Sequence, residues 1–174
     1  MNINEAIEKI SSGTGLKKEE IKKVFLSIMN NKCSDAEIIS FLMTLKTKGE
    51  SVEEITGAAE VLREMCQKLN LSSDKLVDTC GTGGDGQNTF NVSTASAIIA
   101  SAAGVKIAKH GNKSISSKSG SADLLEYAGI NIDLSEEQSQ KCFEDNGITF
   151  MFAPKYHLAM KNVAKVRRSI KTRT

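Results

Sequence analysis

The sequence is poor in features that several classes of protein require. It contains no tryptophan, and aromatic residues make up only 5% of the chain, so base-stacking platforms for nucleic acids are not expected. The net charge of +2 is too small to indicate nucleic-acid binding by itself. The longest apolar stretch, residues 97–105, is interrupted by Ser101 and Gly104 and is far too short to span a membrane. These features favour a globular protein, as do the 40% hydrophobic and 25% charged residues.

The cysteines and the N-terminus indicate a reducing compartment. The four cysteines, Cys33, Cys66, Cys80 and Cys142, are scattered and form no CxxC pair, which argues against a zinc site and against a disulfide framework. Residues 1–5 lack the basic run, followed by an apolar stretch, of a secretory signal. We therefore expect a cytoplasmic protein.

The composition changes near residue 72, and every periodic segment before that point is typical of a helix. Apolar residues recur at helical spacing in four stripes, which begin at Ile3, Ile21, Ile38 and Ile55. Ser34 with Glu37, and Ser51 with Glu54, are spaced as capping boxes that open the third and fourth helices. The stripes are expected to form a core. Since so many stripes cannot all face one small core, we also expect this domain to associate as a dimer.

From residue 73 onward the pattern becomes strand, loop and helix in alternation. Strands are predicted at residues 76–80, 105–108 and 148–152, and helices at residues 93–103, 122–128 and 156–170, with one more helix capped by Ser135. This alternation predicts a mostly parallel α/β sheet. The predicted organisation is an α/β fold class with a small helical domain over residues 1–72 and part of an α/β domain over residues 73–174.

A glycine-rich loop follows the first predicted strand, in the segment DTCGTGGDG at residues 78–86. Four glycines in six residues allow backbone N–H groups to converge on a phosphate, although a plain glycine turn is the alternative. The spacing also spells GxGxxG, but residues 87–91 separate it from the next helix, and the acidic residue expected about 20 positions on is missing. A P-loop is excluded because Gln87 follows Gly86.

Two further segments suit phosphate. Ser93 and Thr94 lie where a helix should begin, so that free N–H groups and the helix dipole attract an anion and a hydroxyl can bind Mg²⁺; a simple N-cap serine is the alternative. Residues 109–121 follow the second predicted strand and contain three lysines, one histidine and five serines. They are predicted to lie at the same carboxyl edge of the sheet as the glycine loop, where such sheets bind ligands. A solvated basic loop is the alternative here.

Taken in order, the segments DTCGTGGDG, TFNVSTASA and KHGNKSISSKSGSADLLE, which follow a helical start, resemble the anthranilate phosphoribosyltransferase family. The late segment FAPKYH and the run VRR at residues 166–168 fit as well, so the resemblance covers the whole chain. The family usually has arginine where Lys113 stands. The resemblance implies an α/β domain of the nucleoside phosphorylase/phosphoribosyltransferase type and a homodimer. It also implies transfer of the phosphoribosyl group of phosphoribosyl pyrophosphate (PRPP) to anthranilate, with Mg²⁺, in tryptophan biosynthesis.

The resemblance also implies site residues, whereas no catalytic residue is assigned. Asn112, Arg167 and Gly81 would contact anthranilate, and Ser93 would also bind Mg²⁺. His110 either polarises the amine or is structural, and His157 is expected to start a helix. The residues implied to bind PRPP are Gly81, Gly84, Asp85, Thr89, Asn91, Val92, Ser93, Thr94, Lys109, His110, Gly111, Asn112, Lys113, Ser114, Ile115, Ser116, Ser117 and Ser121.

Two alternative functions stay open at this point. A pyrimidine nucleoside phosphorylase shares the general architecture, but Asn112 and Arg167 favour anthranilate. The other alternative is a non-catalytic module for folding or interaction. Family members continue well beyond Thr174 and supply there further strands and an acidic pair that binds Mg²⁺. We therefore expect this chain to be a truncated product or a fragment with little transferase activity of its own.

Overall fold

The computed structural model describes residues 1–81, 90–114 and 119–170. The chain forms two compact units, one made of Met1–Cys66 and the segment from His157 onward, the other of Gln67–Tyr156. The final segment, which the sequence assigns to the α/β domain, is thus grouped with the N-terminal helices. The domain boundary near residue 72 stays a prediction. Within the described residues, every helix is too short or too polar to cross a membrane.

The elements of the helical unit are α1 (Ile3–Ser11), α2 (Lys18–Met29), α3 (Asp35–Lys48) and α4 (Val52–Glu64), and those of the second unit begin with α5 (Val92–Ala102) and β1 (Ile107–Gly111). They continue with α6 (Ser121–Tyr127), α7 (Glu136–Asn146), β2 (Ile148–Phe152) and α8 (Ala153–Tyr156). A 3-10 helix (Leu158–Val163) and α9 (Ala164–Ile170) then complete the helical unit.

Two capping boxes start α3 and α4, as predicted. The Ser34 hydroxyl accepts a hydrogen bond from the Glu37 N–H at 3.3 Å, and the Glu37 carboxylate accepts one from the Ser34 N–H at 2.8 Å. Ser51 and Glu54 repeat this exchange at 3.2 and 2.7 Å. Because these bonds satisfy N–H groups that a helix start leaves unpaired, both helices begin where the sequence places them.

The apolar stripes of the helical unit share one continuous core. The number of stripes therefore gives no reason by itself to expect a dimer, although α3 and α4 leave Met43, Val52 and Ile55 exposed. The buried members of this core are Ile3, Ala6, Ile10, Leu16, Ile21, Val24, Ile28, Met29, Ile38, Phe41, Leu45, Val163 and Val166.

The sheet of the second unit is parallel, as predicted. Strands β1 and β2 pair from Ile107 opposite Ile148 to Gly111 opposite Phe152, and β2 has the bounds that the sequence predicts. The predicted strand at residues 76–80 is reduced to one parallel bridge, in which the Val77 N–H donates to the Lys106 carbonyl at 3.0 Å. A longer ladder would pair the next N–H, that of His110, with a strand carbonyl, but this N–H donates to the Asp78 carboxylate instead at 3.2 Å.

Strand β1 begins at Ile107 and ends at Gly111, so it is shifted toward the C-terminus from the predicted residues 105–108. It continues through Gly111, so Lys109, His110 and Gly111 lie in the strand and not in the loop that follows it. The sequence prediction stopped at Ala108 because the next residues are polar. The structure buries Ile107, Lys109 and Gly111 in alternation along the strand, with His110 half-buried between them.

The predicted helix over residues 156–170 is interrupted. His157 has a non-helical backbone (φ −111°, ψ 57°) and precedes a 3-10 helix, after which α9 carries Arg167 and Arg168 in its last turn. His157 is therefore at a helix start, as expected, whereas the single continuous helix predicted for this segment is wrong.

Candidate functional site

Six of the predicted site residues lie outside the described part of the chain, and the others can be placed. Those six are Gly84, Asp85, Thr89, Ile115, Ser116 and Ser117. The others, apart from Arg167, belong to the second unit.

Lys109 is a buried cation, with only 2% of its surface exposed. Its ammonium donates to the Ser93 hydroxyl at 3.3 Å and to the His110 carbonyl at 3.4 Å. Burial lowers the pKa of Lys109, while the charges of Cys80 and Asp78 act in the opposite direction. The structure gives it no salt bridge within the described residues. Because a buried charge is costly without a counter-ion, this environment favours an anionic ligand.

The first turn of α5 lies beside Lys109. Asn91 is its N-cap residue, and Ser93, which accepts the Lys109 hydrogen bond, occupies this turn. The Thr79 hydroxyl donates to the Ser93 carbonyl at 2.7 Å and so ties this turn to the segment before the glycine loop. The Thr94 hydroxyl is buried and has no hydrogen-bond partner in the described ranges. A hydroxyl left unpaired at a helix start is suited to a ligand oxygen.

Asp78 connects the start of the glycine loop to β1, although the sequence analysis assigned it no role. Its Oδ1 atom accepts from the Cys80 N–H at 2.9 Å and from the His110 N–H at 3.2 Å. His110 Nδ1 lies 3.6 Å from the Cys80 sulfur. Burial and the Asp78 charge raise the pKa of the Cys80 thiol. Gly81 follows Cys80 in the chain, and its role beside Lys109 and His110 stays a prediction.

The segment after β1 is anchored to α6. The Asn112 carbonyl accepts from the Ala122 N–H at 3.2 Å, and its side-chain oxygen accepts from the Lys113 N–H at 2.7 Å. The Lys113 ammonium pairs with Glu126 at 2.8 Å, and this hydrogen bond raises the pKa of Lys113. The predicted phosphate ligand Lys113 is thus engaged with a half-exposed carboxylate of α6.

Gly111 ends β1 at a point of close packing. A Cβ atom there would lie 2.7 Å from the Phe150 ring and 2.8 Å from the Ser121 hydroxyl. Both distances are far below van der Waals contact, so only glycine fits. The packing brings Ser121, another predicted site residue, beside the end of the strand.

Arg167 belongs to the helical unit, in the last turn of α9. Gly81 and Asn112, its predicted partners around anthranilate, belong to the second unit. The joint role of these three residues therefore stays a prediction.

The predicted magnesium ligand, Ser93, offers one hydroxyl. The described residues contain no cluster of three histidine, cysteine or acidic side chains that could hold a metal ion. The Lys109 ammonium, 3.3 Å from the Ser93 oxygen, repels a bare cation. Magnesium commonly binds through few protein ligands together with substrate phosphates. The donor set therefore fits a cation that arrives with a polyphosphate.

Comparisons with known proteins identify the family. Residues 4–66 match the family described as "Glycosyl transferase family, helical bundle domain", and residues 73–174 match "Glycosyl transferase family, a/b domain". The chain is 52% identical over 172 residues to anthranilate phosphoribosyltransferase of Clostridium kluyveri, and 54% identical over 172 residues to that of a Thermoanaerobacter species. Each alignment covers 99% of this chain and 51% of the relative.

Solved structures give the same result. The crystal structure of anthranilate phosphoribosyltransferase from Thermus thermophilus matches with a TM-score of 0.87 at 38% identity, over 97% of this chain and 51% of that chain. The enzyme from Saccharomyces cerevisiae in complex with PRPP and Mg matches with a TM-score of 0.88 at 32% identity, over 99% of this chain and 52% of that chain. The chain spans about half the length of these relatives. The resemblance to anthranilate phosphoribosyltransferase is thus confirmed, and the chain belongs to the glycosyl transferase family that its helical bundle and a/b domains define.

Proposed function

We propose that this chain forms the PRPP-binding part of an anthranilate phosphoribosyltransferase. The observation that carries the proposal is the buried Lys109 ammonium on the Ser93 hydroxyl, which faces no carboxylate partner within the described residues. A diphosphate would supply the missing negative charge. The similarity to a yeast enzyme crystallised with PRPP and Mg supports the same ligand here.

The reaction would be a displacement at ribose C1. The anthranilate nitrogen forms a bond to C1 while the bond from C1 to the pyrophosphate oxygen breaks, so negative charge grows on the pyrophosphate that leaves. The nitrogen then loses one proton to solvent. Lys109 and the hydroxyl of Ser93, which contact one another at 3.3 Å, would stabilise the charge on the pyrophosphate. The rest of the rate enhancement would come from holding the two substrates together.

Magnesium is part of the proposal, with Ser93 as the residue of this chain that would hold it. When bound, the ion neutralises charge on the pyrophosphate oxygens. The described residues contain no group of three histidine, cysteine or acidic side chains that would complete its coordination.

The anthranilate site is proposed around Asn112, Arg167 and Gly81. The Arg167 guanidinium would bind the anthranilate carboxylate through a charge-assisted hydrogen bond. We expect Arg167→Ala, in a full-length relative that carries the same motif, to raise the KM for anthranilate by about one to two decades and largely to spare PRPP. An equal loss for both substrates would indicate a structural role for this arginine.

A homodimer and a cytoplasmic location complete the proposal. Met43, Val52 and Ile55 are exposed on the helical unit and are candidates for an association surface. Light scattering tests this part, and a monomer at high concentration would contradict it.

The central test compares two calorimetric titrations of the chain, one with PRPP and Mg²⁺ and the other with inorganic phosphate and uridine. We expect PRPP to bind and the phosphate–nucleoside pair to bind weakly or not at all. A fluorescence assay of anthranilate consumption, run beside a full-length relative, should show little turnover. Binding of phosphate and nucleoside without PRPP would favour a nucleoside phosphorylase. Binding of neither would favour a module without this chemistry.

A further inference from the structure

One carboxylate oxygen accepts hydrogen bonds from two backbone N–H groups of the segment between β1 and α6. Asp123 Oδ2 accepts from the Gly120 N–H at 2.7 Å and from the Ser114 N–H at 2.8 Å. Ser114 and Gly120 are six positions apart in the chain, so this oxygen brings both ends of the segment to one point.

Helix capping explains only one of these two bonds. Asp123 is the third residue of α6, and a carboxylate at this position commonly reaches back to the N–H of the N-cap residue, here Gly120. The bond to Ser114, nine residues earlier, contributes nothing to the cap. It instead fixes the stretch that leaves β1 and contains the predicted site residues Asn112 and Lys113.

The two ends meet so closely that only glycine fits at position 120. A Cβ atom on Gly120 would lie 2.5 Å from the Asn112 carbonyl oxygen and 2.5 Å from the Ser114 nitrogen. These neighbours are backbone atoms, which cannot rotate away as a side chain can. The junction is therefore tightly packed, and Asp123 accepts a hydrogen bond from each of its two ends.

The same junction is tied to the start of α5. The Asn91 amide donates to the Gly120 carbonyl at 3.1 Å and to the Ser119 hydroxyl at 3.3 Å. Asn91 is the N-cap of α5, and Ser93 follows it in the turn that contacts Lys109. Gly120 thus donates its N–H to Asp123 and accepts from Asn91 through its carbonyl.

We propose that Asp123 is a positioning residue for the anion site, which holds the Ser114–Gly120 junction against Asn91 at the start of α5. It acts through these backbone groups and does not touch the substrate. The inference rests on the proposed PRPP site. Hydrogen bonds from Ser114 and Gly120 also lower the pKa of Asp123, which is consistent with a carboxylate that accepts both bonds.

The test compares Asp123→Ala, which removes both bonds, with Asp123→Asn, whose amide oxygen can still accept them. Asp145→Asn is the matched control, because it also removes one carboxylate of the second unit, from a half-exposed i,i+4 ion pair of α7. Two readouts are used, the Kd for PRPP with Mg²⁺ by calorimetry and the hydrogen-exchange rates of the Ser114 and Gly120 amides by NMR. Gly120→Ala is a second variant that opens the same junction by a different route.

We expect Asp123→Ala and Gly120→Ala to weaken PRPP binding by about tenfold or more, and Asp123→Asn by less than about threefold. Asp145→Asn should leave the Kd unchanged. Exchange at Ser114 and Gly120 should rise in Asp123→Ala and stay low in Asp123→Asn.

Three results would overturn the proposal. They are an unchanged Kd in Asp123→Ala, an equal loss in Asp123→Asn, and unchanged exchange at both amides. If the unaltered chain binds no PRPP, the proposed function fails, and the exchange rates still decide whether Asp123 holds the junction.

Discussion

The two units of the chain differ in how well their buried polar groups are hydrogen-bonded. In the helical unit, the buried carboxylate of Glu54 accepts hydrogen bonds from the Leu16 N–H, the Lys48 ammonium and the Ser51 N–H, at 2.7 to 2.8 Å. In the second unit, Lys109 is buried with two long hydrogen bonds. The hydroxyls of Thr94 and Thr149 have no partner in the parts of the chain that the structure describes.

The apolar cores also differ, and among the described residues the core of the helical unit is the larger one. The helical unit has one continuous core, whereas the buried cluster of the second unit consists of Ala122, Leu125, Ile132 and Phe150. Buried polar groups that lack partners lower stability, and a ligand site is one place where a protein retains them. This difference supports the proposal that the helical unit contributes stability, while the second unit keeps polar groups available for binding. Each prediction below tests one side of this difference.

The largest effect is expected at Glu54. Burial by itself would raise the pKa of this carboxyl, but the hydrogen bonds from Leu16, Lys48 and Ser51 outweigh it and lower the pKa to about 2. In Glu54→Gln, the NH₂ group of the amide would replace a carboxylate oxygen that accepts hydrogen bonds, so that two donors would face one another. We expect a loss of about 3 kcal/mol in the free energy of unfolding at pH 7, measured by urea denaturation.

The pH dependence of this loss has a definite sign. Because the folded pKa lies below the unfolded value near 4.5, the contribution of Glu54 is complete above that value and disappears as the pH falls toward 2. The gap between Glu54→Gln and the unaltered chain should therefore narrow on acidification. Glu60→Gln is the control, since Glu60 forms more exposed ion pairs with Lys18 and Lys22 and should cost much less. Equal losses in both variants would contradict the role of Glu54.

Lys109 is expected to contribute to PRPP binding and not to stability. Lys109→Met removes a poorly compensated buried charge, so the free energy of unfolding should stay the same or rise. The affinity for PRPP should fall by about one to two decades, because a charge-assisted contact is lost. Calorimetry and urea denaturation measure the two quantities. Lys75→Met, at an exposed lysine of the same unit, should change neither. An unchanged PRPP affinity in Lys109→Met would remove the main support for the proposed site.

The sequence predicted those parts of the fold that depend on neighbouring residues. The capping boxes at Ser34 and Ser51, the start of α7 after Ser135 and the bounds of β2 follow from local spacing, and all of them are present. The motif segments were also sufficient to identify the family, because their order along the chain is specific.

The remaining features depend on contacts between distant residues. The sequence predicted the capping box of Glu54. It could not predict that the buried carboxylate also accepts a hydrogen bond from the Leu16 N–H, 38 positions earlier. The first strand was predicted too long because Asp78 takes the His110 N–H across 32 positions. The prediction for β1 ended three residues too early, because the polar side chain of Lys109 gives no indication that the residue is buried. A local sequence pattern cannot indicate contacts between residues that lie so far apart in the chain.

The smallest effects are expected from two threonines that provide a matched pair. Thr94, in the first turn of α5, and Thr149, opposite Ala108 in the sheet, are both buried with 1% exposure and have hydroxyls without a partner in the described residues. Valine has nearly the same shape and removes the unpaired hydroxyl. We expect each valine variant to raise the free energy of unfolding by up to about 1 kcal/mol, measured by urea denaturation.

Binding should separate the two threonines. If the hydroxyl of Thr94 is kept unpaired for a phosphate oxygen, Thr94→Val should weaken PRPP binding by about fivefold to tenfold, which corresponds to one neutral hydrogen bond. Thr149→Val should leave the affinity unchanged, because Thr149 lies in β2, which contains none of the predicted site residues. Equal affinity in both variants would mean that Thr94 is a packing residue like Thr149. A loss of stability in Thr149→Val would show that its hydroxyl is bonded after all. With both expected outcomes, the same unpaired group would cost stability at two positions and contribute to function at only one of them.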